Sequence, residues 1–178
     1  MHLHHTRYFL SSNSFVASLI LAAAVLVPTS AAQADNRVPI DTRCGLAINS
    51  VVRTENALST TNSVAFVDVP NAVLVFGVPA GASRCVKVVF TGEAACRGPA
   101  AVTDFCFIRA LLDGVEMLPQ GGGFQVFLSE DPTANAHAYE WVRRVGGGNH
   151  IVRIQRRVGN AGTFFDLDDW TFDLQIYQ

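Results

Sequence analysis

Few residues in this chain could do chemistry. Beyond residue 34 only two histidines occur, His137 and His150. Covalent catalysis needs a nucleophile with a base and an orienting group in reach. Neither a Gly-x-Ser-x-Gly elbow nor a His-Glu-x-x-His helix signature is present. No catalytic residue is therefore assigned, and the chain reads as a non-enzyme. His150 opens a β-run directly after Gly146-Gly147-Gly148-Asn149. A ring nitrogen there can bond a nearby backbone group, which is a structural role. His137 alternates with Tyr139 and Trp141. Amphipathic aromatics on a mixed face suit an interface or a sugar-stacking platform, so Tyr139 and Trp141 are the expected ligand-binding residues.

The acidic stretch Asp166-Leu167-Asp168-Asp169-Trp170 raises the question of calcium. That ion wants about six to eight oxygen ligands, and this segment with Glu130 and Asp131 offers only some of them. Asp168-Asp169 also suits a turn between two strands, and a turn is the expectation, with no metal and no cofactor. Gly121-Gly122-Gly123 lacks the strand-to-helix context of a phosphate cradle. Arg143, Arg144, Arg153, Arg156 and Arg157 are concentrated locally. On strands they point to different faces and read as a solvated sheet surface, not a nucleic-acid site, which needs clustered positive charge.

The compartment is legible from both ends of the pattern. An apolar run over residues 15–27 follows a weakly basic start at Arg7, is broken by Pro28, and leads to Ala32-Gln33-Ala34. This has the form of a cleaved secretory leader at 1–34. The run is shorter than the roughly 20 residues of a membrane span, so no membrane association is expected after cleavage. Removing 34 of 178 residues leaves 144, with 12 Lys and Arg against 15 Asp and Glu. Cys44, Cys85, Cys96 and Cys106 all lie in that part, where an oxidising compartment favours disulfides. Three pairings are open by count. Cys96 ends one predicted strand and Cys106 begins the next, with a nine-residue connection between them. Neighbouring antiparallel strands would bring them within reach, which predicts Cys96–Cys106 and leaves Cys44–Cys85.

No sustained 3.6-residue apolar period appears. Strand signals recur instead at 46–55, 63–69, 72–78, 85–95, 105–113, 115–118, 124–128, 137–145, 150–158, 163–167 and 170–176. Pro70-Asn71, Pro79-Ala80-Gly81 and Asp113-Gly114 punctuate them as turns. The last run alternates cleanly, with Trp170, Phe172, Leu174 and Ile176 inward. The expectation is one all-β domain at 44–178, an antiparallel sandwich of about ten strands and jelly-roll-like, preceded by a loose lead-in at 35–43.

The series Phe66-Val67-Asp68-Val69-Pro70, Val78-Pro79-Ala80-Gly81, Val88 to Glu93, Cys106 to Gly114, Gly148 to Gln155 and Leu167 to Phe172 resembles a group of secreted bacterial β-sandwich proteins. The resemblance covers most of 62–178 and implies export and a sandwich; it brings no activity with it. Gly148-x-His150 and Asp168-Asp169-Trp170 are weakly similar to carbohydrate-binding β-sandwich modules. The resulting expectation is a secreted, extracellular or periplasmic, non-catalytic binding or interaction protein. Its partner is an extracellular glycan or protein. The alternatives are a glycan-binding module and a structural protein that assembles into oligomers.

Overall fold

The computed structural model describes residues 43–99, 104–120, 122, 125–129 and 131–178, and the regular structure among them is all β. The leader expected at 1–34, the lead-in as far as residue 42, and the expected glycine loop apart from Gly122 lie outside the described residues. Ten strands follow one another: β1 Ala47–Glu55, β2 Ser59–Thr61, β3 Val67–Val78, β4 Arg84–Arg97 and β5 Phe105–Leu112. Then come β6 Val115–Glu116, β7 Val126–Ser129, β8 Asp131–Val145, β9 Gly148–Val158 and β10 Phe164–Tyr177. Sheet A has the order β1-β10-β4-β8, with β2 also on β10; sheet B has the order β3-β9-β5-β6, with β7 also on β5. Take β1 with β2, and β6 with β7, as interrupted single strands. The first then pairs with the last, the second with the next to last, and so inward to the middle pair. That nested order is a jelly roll.

The alternation of β10 shows how the sequence reaches this fold. Phe165 and Leu167 are buried, and so are Trp170, Phe172, Leu174 and Ile176. An unbroken period of two cannot bury both sets, because one is odd and the other even. The ladder resolves the conflict. Asp168 faces Glu93 and Thr171 faces Thr91, so Asp169 and Trp170 together oppose Gly92. Asp169 takes a φ of 42°, and this bulge moves the apolar set from one phase to the other. A Cβ on Gly92 would stand 2.8 Å from Leu167 Cδ1 and 3.1 Å from Trp170 Cβ, so only glycine lets both enter the core there. The expected turn at Asp168-Asp169 is therefore a bulge inside one continuous strand. Pro70-Asn71 is a second such case. It interrupts the pairing of β3 between Asp68 and Val73 without ending the strand. β3 is an edge strand, where the missing proline N–H sacrifices no central ladder bond.

The core lies between the sheets. Phe90 on β4 packs 5.6 Å from Trp170, 6.2 Å from Phe127 and 6.5 Å from Phe172, ring centre to ring centre. Cys96 and Cys106 are paired with a Cα separation of 5.9 Å, and Cys44 and Cys85 at 5.5 Å. Both expected pairs are present, but for a different reason in the first case. Cys96 lies on β4 of sheet A and Cys106 on β5 of sheet B, so that bond crosses the sandwich instead of joining neighbours in one sheet. The other ties the segment before β1 to β4, beside the end of β10, where Gly45 N donates to Gln178 O at 3.1 Å.

Candidate functional site

The residues expected to contact a ligand do not form a platform. Trp141 sits opposite Val88, in the inward phase of β8, and is fully buried. Its indole Nε1 donates to Gln125 Oε1 at 2.7 Å. Gln125 is itself buried, and its Nε2 donates to Pro119 O and to Glu116 Oε1. A buried polar clamp thus satisfies the one polar atom of the indole, which is what lets a tryptophan become core. Tyr139 is half-buried, with its ring 4.7 Å from Trp141. Burial, and to a smaller extent the charge of Glu116, raise its hydroxyl pKa.

His150 has the structural role expected of it, with a carboxylate added. Its Nε2 lies 3.0 Å from Gly146 O and its Nδ1 2.7 Å from Asp113 Oδ2. Both partners only accept hydrogen bonds. A neutral imidazole donates once, so the doubly protonated ring is the form that satisfies both. The Asp113 hydrogen bond accordingly raises the His150 pKa. Asp113 sits at φ 52° in the Asp113-Gly114 hairpin turn, and its Oδ1 also accepts from Ile151 N. His137 packs 5.4 Å from the Phe127 ring.

The acidic segment is engaged by neighbours. Asp166 accepts from Thr60 Oγ1 at 2.7 Å and from Arg97 Nε. Burial opposes its charge, but these bonds outweigh it and lower its pKa. Asp168 Oδ1 accepts from the amide of Asp169. A cleft of about 220 Å³ runs along Leu58, Glu93, Arg97, Pro132, Asp166 and Asp168. Among the described residues, no group of three or more potential ligands has a metal-holding arrangement.

The arginines are where sequence and structure differ most. Arg156 was expected to be solvated, yet it is 2 % exposed. It occupies the inward phase of β9 with Val152, Ile154 and Val158. Its Nη1 donates to Ser59 O at 2.9 Å, and its guanidinium lies 5.5 Å from the centre of the Phe165 ring. Burial lowers its pKa to about 10. Arg157, the next residue, points the opposite way, onto the outer face of sheet B.

That outer face carries an ordered array of cations and rings. Arg109 on β5 lies opposite Gln155 on β9, with Phe107 opposite Arg157 and Leu111 opposite Arg153. Arg109 donates from Nε and Nη2 to Gln155 Oε1 at 2.9 and 2.6 Å. Gln155 Nε2 in turn donates to Asp68 Oδ1 at 2.7 Å, and Arg153 donates to Asp68 Oδ2 at 3.1 Å. The Asp68 contact fixes which end of the Gln155 amide faces Arg109. Phe66, on the segment before β3, covers the Arg109 guanidinium at 4.0 Å. Arg157 lies 5.3 Å from the same ring and 4.1 Å from Phe107. Burial lowers the Arg157 pKa, the Asp104 carboxylate opposes this, and the Arg109 charge adds to it. Among the described residues, no carboxylate pairs with Arg109. Exposed Phe105, Val126 and Val75 extend the face.

Apart from the arginines of β9, the sequence marks these residues only as members of strands or of the resembling series, not as candidates for a site. The available signal was phase: Phe105, Phe107 and Arg109 share one face of β5, and Arg153, Gln155 and Arg157 share one face of β9. No protein-family model and no curated protein matches this sequence.

Proposed function

We propose that this is an exported, non-catalytic binding protein that engages its partner through the outer face of sheet B. The observation that carries the reading is Arg109, stacked on Phe66 and anchored by Gln155, with no carboxylate partner among the described residues. Arginine and exposed aromatic side chains are the types that dominate binding energy at interfaces. Export is supported by the leader-like residues 1–34 and by two cystine pairs. The non-catalytic reading is supported by His150, whose two ring nitrogens are both committed to Asp113 and Gly146. A glycan platform at Tyr139 and Trp141 loses its support with the burial of Trp141.

The test compares the two faces. Fluorescently labelled protein is applied to a glycan array and to cells, alongside Phe105→Ser with Arg109→Glu on sheet B and Asp173→Ala on sheet A. The sheet B variants should lose binding and the sheet A variant should keep it. Equal behaviour of the three would remove sheet B from the reading. Sequencing the N-terminus of exported protein should find Asp35 first.

One observation favours assembly as a second reading. β1 is an edge strand with no buried residue, and Leu46, Ile48 and Val52 on or beside it are exposed. Long exposed edges pair with other chains unless blunted. Light scattering across a concentration series should show a dimer that Val52→Lys dissolves; a concentration-independent monomer would refute this reading.

A further inference from the structure

Resting on the sheet B reading, we infer that Arg109 is the centre of a recognition site for a carboxylate carried on a sugar ring, that is, for an acidic glycan chain lying across the outer face of sheet B. The stereochemistry of the guanidinium leads to this. Its Nε/Nη2 edge is spent on Gln155 Oε1. One of its flat faces is covered by Phe66 at 4.0 Å. What remains is the Nη1/Nη2 edge, two parallel N–H groups that match the two oxygens of a carboxylate. The edge is held in place before any ligand arrives, because Gln155 is itself tied to Asp68. Preorganisation of this kind reduces the ordering cost of binding.

The surroundings choose among anionic partners. Arg153 and Arg157 lie on β9, two residues to either side of Gln155; Arg153 is paired with Asp68 at 3.1 Å, so the positive potential runs chiefly from Arg109 to Arg157 instead of sitting at a point. That suits a chain bearing repeated carboxylates. Phe105 is exposed beside this row and offers an apolar ring to the C–H face of a sugar. An acidic peptide would more readily add to a free strand edge, where its backbone gains ladder bonds; the middle of a sheet face offers none. Nucleic acid is disfavoured by the excess of acidic over basic residues in the whole chain, 15 against 13.

Calorimetry on the purified protein with three probes tests this: an oligogalacturonate of about ten sugars, the same oligomer fully methyl-esterified, and polyglutamate. The acid form should bind, and esterification should weaken binding at least tenfold. Arg109→Lys should also weaken it at least tenfold, since an ammonium cannot present the fork, and Arg109→Gln more. Asp173→Ala should bind like the parent. Thermal melts of each variant confirm folding. If the ester binds as well as the acid and Phe105→Ser abolishes both, the carboxylate inference fails while the sheet B reading stands. If polyglutamate binds as tightly as the acid oligomer, the assignment to a sugar chain is overturned. If the acid oligomer does not bind at millimolar concentration, the inference fails outright, and the array and cell experiment on the same variants decides the broader reading separately.

Discussion

The two outer faces of this sandwich differ in how they hold their most ordered charges. On sheet A, Asp173 accepts from Ser50 and Gln175, Tyr177 donates to Gln175, and Lys87 pairs with Glu140 at 2.8 Å. Those charges are answered by groups of the same face. On sheet B, Arg153 is likewise paired with Asp68, but Arg109 is held by a neutral amide and a ring. A like charge lies close by: Arg109 helps to lower the pKa of Arg157. Rigid positioning and charge neutralisation are therefore separable. A surface that has the first without the second retains electrostatic potential for something outside itself.

Both faces depend on the core between them, and the largest effects should appear there. Trp170→Ala and Trp141→Ala should each cost about 3–5 kcal/mol, as for other large-to-small core changes. Trp141 carries the added loss of its bond to Gln125, which would be left buried and under-satisfied. Urea melts measure this. A Trp141 variant as stable as the parent would return that side chain to the surface and reopen the sheet A side as a binding platform.

Next in size is Arg156, the buried neighbour of the outward Arg157. Arg156→Ala should cost about 2–5 kcal/mol, since it opens a cavity and strips the carbonyls of Ser59 and Phe165 of a donor. Arg156→Met should cost distinctly less, because apolar residues of similar volume often replace buried ions without loss. Denaturant melts of the pair rank them. The reverse order would mean that the charge itself, and not the volume, holds the edge between β2 and β9.

The His150–Asp113 pair gives a smaller, pH-dependent effect at one end of the sandwich. The His150 pKa is raised, so its stabilisation is complete below the unfolded value of about 6.5 and is lost as pH rises through the higher folded value. The Asp113 pKa is lowered: burial opposes its charge, but the bonds from His150 and Ile151 prevail. Its contribution is present above the unfolded value of about 3.9 and is lost as pH falls through the lower folded one. The pair should therefore stabilise most between about pH 4 and 6.5. Melting temperature should decline above that window in the parent and decline less in His150→Gln. Parallel curves for the two proteins would show that the imidazolium is not the stabilising form.

Much of the fold is legible in the chain, because strands announce themselves by a period of two and turns by Gly, Pro and Asp. What is not legible is a change of phase. Leu167 and Trp170 each fit an alternating run, and the two runs read as two strands with a turn between. Only the ladder opposite Gly92 shows a bulge that keeps them in one strand. Pro70-Asn71 misleads in the same way. The candidate site is hidden in the sequence for a related reason. Arg156 and Arg157 look alike as a charged pair, yet adjacent residues of a strand face opposite ways, and Val152, Ile154 and Val158 had already claimed the phase of Arg156 for the core. Trp141 was misplaced because its partner Gln125 lies 16 residues away, and no local pattern reveals a buried amide waiting for an indole.

The smallest effect bears most directly on the contrast between the faces. Arg109→Gln should change stability by no more than about 0.5 kcal/mol, the usual range for surface substitutions. Its sign carries the information. A cation with a carboxylate partner stabilises when the partner is present, so removing it costs. Arg109 has no such partner among the described residues, and it lies close enough to lower the Arg157 pKa. Removing it should therefore be neutral or slightly stabilising at low salt, where the screening length is about 30 Å at 0.01 M. The difference between variant and parent should shrink as salt is raised to 1 M, where that length falls to about 3 Å. Asp173→Ala should do the opposite: a small loss, because Ser50 and Gln175 lose their shared acceptor. Paired melts at the two salt concentrations measure both. If Arg109→Gln proved destabilising at low salt and neutral at high salt, the guanidinium would be an answered charge like those of sheet A, and the outer face of sheet B would lose its claim to be open for a ligand.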